Sequence, residues 1–132
     1  METDIIFAKN EFIEKYGDHK TRIQVYFAPG RVNMIGEHTD YNGGYVFPCA
    51  LNFGTYLVIR PNNSNIMRLA TTNFRFAANV SVKSFEPQGK HWINYPMGVM
   101  DQFVKRGMDL NGMDMMFSGT IPNGAGLSSS AS

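Results

Sequence analysis

The sequence has one cysteine, one tryptophan, three histidines and almost no net charge, and each shortage closes off a class of protein. A single Cys49 cannot pair within the chain, so a disulfide scaffold is excluded, and a reducing compartment is its simplest setting. Cys49 stands in VFPCAL among apolar neighbours, with no Cys or His nearby at metal-ligand spacing; the pattern predicts a buried small residue rather than a nucleophile. Twelve Lys and Arg against eleven Asp and Glu leave a formal charge of +1. Such a balance supplies neither a basic field for nucleic acid nor an acidic tail. No apolar run approaches the roughly 18 residues of a membrane span, and METDIIFAKNEF carries acidic residues where a signal peptide needs an apolar stretch. The expectation is a soluble cytoplasmic protein with no nucleic-acid or membrane partner.

What remains is an ordinary globular composition, 43% hydrophobic, in 132 residues: enough for one domain with a modest core and short for two. Ile5, Ala8, Phe12 and Tyr16 recur at helical spacing and predict a helix over about 4–16, stopped by Gly17. Ile23, Val25 and Phe27 alternate, predicting a strand over 22–27 that ends at Ala28-Pro29-Gly30, with a short extended piece over 32–36. Further strands are expected at 45–47 and 55–60, broken near Pro48 and Gly54, then at 66–71, 80–85 and 113–117. Ile93, Met97, Met100 and Val104 form one stripe of a helix over 92–106, ending in the solvated pair Lys105-Arg106. Asp101, Asp109 and Asp114 are expected in surface or turn positions. The layout reads as α+β with a mixed, largely antiparallel sheet.

Residues 121–132, IPNGAGLSSSAS, fit neither common phosphate motif. A Walker loop needs Lys and then Ser or Thr after its second glycine, where Ala125-Gly126 stands, and a dinucleotide fingerprint needs a glycine at Ser129. The underlying physics still applies. Glycines let the backbone approach an oxyanion closely, a loop opening a helix offers unpaired N–H groups, and serine hydroxyls donate hydrogen bonds or ligate a hard cation. An anion cradle for a nucleotide phosphate and a plain Gly/Ser linker both fit the run, with Pro122 and Leu127 arguing against the linker. Because the run has loop character, the protein is expected to continue beyond Ser132.

The second unusual stretch is GRVNMIGEHTDYNGGY, residues 30–45. Glu37, His38 and Asp40 make a thin metal site, because neighbours in a strand point to opposite faces. Asp40-Tyr41-Asn42-Gly43 is good turn chemistry, and Asn-Gly predicts a type I′ reversal, which leaves Glu37 and His38 unexplained. A pocket for a hydroxyl-rich neutral ligand accounts for more, since each ionised carboxylate accepts from two hydroxyls.

Taken together, the two stretches resemble a known family. PGRVNMIGEHTDYNGGYVFPCAL is similar to the galactokinase signature. PNGAGLSSSAS is similar to the phosphate motif of the wider superfamily of galacto-, homoserine, mevalonate and phosphomevalonate kinases. Trp92-x-Asn94-Tyr95 and its following helix also look like galactokinases. The likeness runs along the whole chain in the expected order and corresponds to the opening third of a typical member.

That resemblance implies a partial N-terminal domain over 1–132, of the ribosomal protein S5 domain 2-like kind with helices packed on one side of the sheet. The sugar signature would cover about 29–51 and the phosphate loop about 122–132. It implies ATP and Mg²⁺ as cofactors, galactose as substrate, and phosphorylation at the anomeric hydroxyl to α-D-galactose 1-phosphate. Glu37, His38, Thr39 and Asp40 would meet the sugar, and Arg31 would stabilise transition-state charge. Gly124, Ala125, Gly126, Leu127, Ser128, Ser129 and Ser130 would wrap the ATP phosphates, with Ser130 also a Mg²⁺ ligand. The family's catalytic aspartate lies downstream of this run, so the chain alone is expected to be inactive and to self-associate through exposed apolar surface, and the full protein to be monomeric. A kinase-like galactose sensor, or a kinase of N-acetylgalactosamine or arabinose, would share much of this pattern.

Overall fold

The computed structural model describes residues 1–19, 21–36 and 38–121, with Asp40 described by its backbone alone. Glu37 and the run from Gly124 to Ser130 therefore lie outside the described residues. Helix α1 (Glu2–Tyr16) is followed by strands β1 (Gln24–Asn33), β2 (Pro48–Pro61), β3 (Ile66–Thr71) and β4 (Ala78–Ser81), helix α2 (Asn94–Lys105) and strand β5 (Met113–Gly119). The five strands form one sheet in the order β1-β2-β5-β3-β4. Its pairings are antiparallel except β3 with β5, which gives the mixed, largely antiparallel α+β fold expected.

The two helices do not share a side of the sheet. Ala8, Phe12 and Tyr16, one buried stripe of α1, pack on Tyr56, Val58, Ala70 and Met116. Met97 and Met100 of α2 pack on Met67, Leu69 and Met115, the intervening residues of the same strands. Successive strand residues point to opposite faces, so the unbroken apolar runs in β2, β3 and β5 need cover on both. The expectation of helices on one side is corrected accordingly.

Two strands are longer than their punctuation suggested. β1 runs through Pro29 because it is an edge strand, where a missing N–H breaks no ladder on the outer side. Pro29 pairs with Gly54 and Arg31 with Ala50, so the register shifts between them and the strand resumes. β2 likewise absorbs Pro48 and Gly54, whereas 45–47 is not strand. The first residues of β2 extend beyond the covered part of the sheet and are exposed. Cys49 lies among them, so the expected burial of its thiol is also corrected.

Asp114 is the largest departure, being fully buried rather than at the surface. Register places Arg60, Asp114 and Arg68 side by side on β2, β5 and β3. Arg68 donates to both carboxylate oxygens at 2.6 and 2.7 Å, Asn62 Nδ2 to Oδ1 at 2.8 Å, and Arg60 Nη2 to Oδ2 at 3.1 Å. Arg60 also donates to the carbonyls of Tyr16 and Gly17 at 3.1 and 2.9 Å. Those carbonyls end α1, where the helix dipole favours a cation, so one ion cluster joins the helix to three strands. Burial pushes the Asp114 carboxyl up, but the hydrogen bonds from Arg68, Asn62 and Arg60 outweigh it and hold the group below the usual range.

Candidate functional site

The polar stretch forms the loop of a β1–β2 hairpin. Its base is closed by Met34 N–H on the Phe47 carbonyl at 2.8 Å and Phe47 N–H on the Ile35 carbonyl at 3.0 Å, continuing the Asn33–Pro48 pair. Inside, the loop is organised around Thr39. Its hydroxyl lies 2.6 Å from the Gly36 carbonyl and 3.0 Å from that of Tyr45, donating its one hydrogen between them. The Thr39 carbonyl accepts from Asn42 N–H at 3.1 Å and Gly44 N–H at 2.7 Å.

Two glycines make this closeness possible. A Cβ on Gly36 would stand 2.4 Å from the Tyr45 carbonyl oxygen, and one on Gly44 would stand 2.8 Å from the Thr39 Cβ. Gly36 also has φ of 95°, a conformation other residues rarely adopt. The reversal itself differs from the expected type I′ turn. Residues Asp40–Asn42 form a short 3-10 turn, and Gly43 has positive φ while Asn42 does not. Thr39 draws both following amides inward, a wider closure than a two-residue hairpin.

His38 carries the unusual backbone of this loop, with φ of 60°. Its carbonyl accepts from Asn42 Nδ2 at 2.9 Å, and its Nδ1 lies 2.8 Å from the Tyr41 hydroxyl. The ring is exposed, as is Arg31 on the β1 strand that leads into the loop. The structure therefore gathers Arg31, His38, Thr39 and the Asp40 backbone into one hairpin. Thr39 faces inward, and its hydroxyl hydrogen is committed within the loop.

Replacing Thr39 by Val removes that donor and is expected to speed amide exchange at Gly44 and Asn42 by about fivefold to tenfold, the equivalent of one net hydrogen bond. Thr39→Ser should retain most protection. Equal protection in Thr39→Val and the parent protein, read by hydrogen exchange, would show that the hydroxyl does not hold the loop.

Thr120, which precedes the second stretch, reaches the same end of the sheet. Gly54, the partner of Pro29, is bonded on its other side to Thr120: Thr120 N–H donates to the Gly54 carbonyl at 2.9 Å and Gly54 N–H to the Thr120 hydroxyl at 3.0 Å. Pro29, Gly54 and Thr120 thus stand in a row across neighbouring strands, spaced by about 4.8 Å each. Residues some ninety positions apart, one opening the polar stretch and the other just preceding the Gly/Ser run, lie about 10 Å apart by that spacing.

Farther along, Asn94 ties the approach to α2, accepting from Gln88 N–H at 2.9 Å and donating to the Gly89 carbonyl at 2.9 Å. Trp92 Nε1 donates to the Phe76 carbonyl at 3.0 Å. Among the described residues no three His, Cys, Asp or Glu side chains cluster as metal ligands, and no helix is long and apolar enough to cross a membrane.

The family model for the galactokinase galactose-binding signature matches residues 10–61, which include the whole hairpin loop. A Clostridium tetani galactokinase is 50% identical over 125 residues, an alignment covering 94% of this chain and 31% of the relative. The crystal structure of Lactococcus lactis galactokinase complexed with galactose superposes with a TM-score of 0.87 at 35% identity, covering 95% of this chain and 33% of that one. Methanococcus jannaschii mevalonate kinase shares the fold, with a TM-score of 0.71 at 17% identity over 86% of this chain and 38% of its own. The likeness to galactokinases thus extends over nearly the whole chain, and the chain spans about a third of the length of the curated relatives it matches.

Proposed function

We propose that this chain is the sugar- and phosphate-binding part of a galactokinase, a partial N-terminal domain over residues 1–132. The full protein transfers the γ-phosphoryl group of ATP to the anomeric hydroxyl of D-galactose, giving α-D-galactose 1-phosphate. The observation that carries this reading is the row Pro29, Gly54, Thr120. It sets the strand that enters a loop suited to hydroxyls beside Thr120, which precedes a run suited to phosphates, at one end of the sheet. Phosphoryl transfer depends chiefly on positioning acceptor and donor together, which such a row serves. The Lactococcus lactis relative was solved with galactose, which supports that choice of sugar.

Glu37 and Asp40 accept hydrogen bonds from sugar hydroxyls, and the exposed His38 ring contributes one nitrogen. Thr39 serves the sugar indirectly, by fixing the loop that carries its neighbours. Arg31 stabilises negative charge as the phosphoryl group moves. Backbone N–H groups and hydroxyls of Gly124 to Ser130 take the ATP phosphates, and the Ser130 oxygen, a hard donor, suits Mg²⁺. When bound, Mg²⁺ supplies neutralising charge at the phosphates. The lone exposed Cys49 is consistent with a reducing, cytoplasmic setting.

An ADP-release assay of the full protein with Mg-ATP is expected to show turnover with galactose exceeding that with N-acetylgalactosamine and arabinose. Galactose binding without turnover would replace the kinase by a sensor. Turnover on another sugar alone would replace the substrate.

A further inference from the structure

We propose that Tyr41 is a positioning residue that holds the His38 ring in the orientation in which its other nitrogen meets the sugar. The inference rests on the galactose-kinase reading above and concerns a residue to which that reading gives no task. Tyr41 sits in the 3-10 turn with 72% of its surface exposed, so it adds little to the core. What it does touch is His38: its hydroxyl lies 2.8 Å from Nδ1, and the two rings meet edge to face with centroids 6.1 Å apart.

The need for such a hold follows from the backbone. His38 has φ of 60°, a conformation in which a non-glycine residue points its side chain away from the regular course of the chain. Asn42 pins the His38 carbonyl at 2.9 Å, which fixes the main chain and leaves the ring free to rotate about its own bonds. The Tyr41 hydroxyl removes that freedom. It also links the two ring nitrogens, because a hydroxyl that donates to Nδ1 leaves Nε2 a donor and one that accepts from Nδ1 leaves Nε2 an acceptor. With the hydroxyl donating to Nδ1, the proton of the neutral ring resides on Nε2, which then donates outward to a sugar oxygen.

Losing the hydroxyl costs pre-organisation of a binding group and not an interaction special to the transition state, so the effect falls on KM. In the full protein, Tyr41→Phe is expected to raise the galactose KM about fivefold, the worth of one net hydrogen bond, with kcat and the ATP KM within about twofold. The imidazole ¹⁵N shifts of His38, assigned with His38→Gln, should move toward a different tautomer balance in Tyr41→Phe. The other histidines should stay put. The NMR arm reads the contact without any catalysis.

An inactive parent protein with shifted His38 nitrogens in Tyr41→Phe overturns the proposed reaction and keeps the contact. An active parent with an unchanged galactose KM in Tyr41→Phe overturns the positioning role. Unchanged ¹⁵N shifts overturn it as well.

Discussion

Asp114→Asn is expected to destabilise the fold by about 3–5 kcal/mol, the range for removing one partner from a buried ion pair. The neutral amide leaves the Arg60 guanidinium, which is 1% exposed, without a counter-charge. Arg68 suffers less, since its side chain is 40% exposed and remains in contact with water. Against a typical domain stability of about 5–15 kcal/mol, the change removes a large share. It should appear in thermal or urea denaturation as a lowered midpoint, and a loss under about 1 kcal/mol would refute the central place given to the cluster. Arg60→Met combined with Asp114→Leu should recover part of the loss, because well-packed apolar residues replace a buried pair at little cost.

The pH dependence has a definite sign. The folded Asp114 carboxyl titrates below its ordinary value, so the unfolded chain takes up a proton first as pH falls. Its contribution is therefore fully present above the ordinary carboxylate range near pH 4 and is lost as pH falls through the lower folded value. Asp114→Asn should flatten that acid-side decline.

The second large effect concerns Arg31. In the full protein Arg31→Ala is expected to lower kcat by about 10²–10³-fold, the scale for a group that stabilises developing charge, with substrate KM values within a few-fold. Arg31→Lys should recover a minority of the rate, because an ammonium keeps the charge and loses the planar fork. Arg31 is exposed on an edge strand, so its truncation opens no cavity in the core, and a thermal midpoint near the parent's is the check that the Ala variant folds. A kcat within about threefold of the parent would assign Arg31 a different task.

How much of this could be read beforehand depended on the range of the interactions. The hairpin loop is a local run, and the residues that shape it, from Gly36 through Thr39 to Gly44, lie within nine positions of one another; a sequence pattern can specify such a unit. The ion cluster is built across 46 and 54 positions, and nothing near Asp114 names Arg68 or Arg60. A partial signal was present. In Met113-Asp114-Met115-Met116-Phe117, the alternation that faces Met115 toward α2 leaves Asp114 on the face of Met116, which is equally apolar. A charge on a buried face requires a partner, and Arg60 and Arg68 were the charges closing or interrupting neighbouring apolar strands. The two-sided burial of the sheet was similarly visible in the continuous run Tyr56-Leu57-Val58-Ile59, which does not alternate with polar residues. Thr39 was read with the sugar-facing residues because position along the chain does not reveal which way a hydroxyl donates.

The strand order bears on how the molecule is made. Among the described residues β5 comes last of the strands in sequence and stands in the middle of the sheet, between β2 and β3. During synthesis the β1–β2 hairpin and the β3–β4 pair each emerge with most of their own partners, yet no backbone ladder joins them until residues 113–119 arrive. These five strands are therefore keyed together by β5, and their central pairings span long stretches of chain, a topology associated with slow folding. Until then β2 and β3 present open, apolar inner edges, so the nascent chain is most prone to stray association just before residues 113–119, which protect them, leave the ribosome.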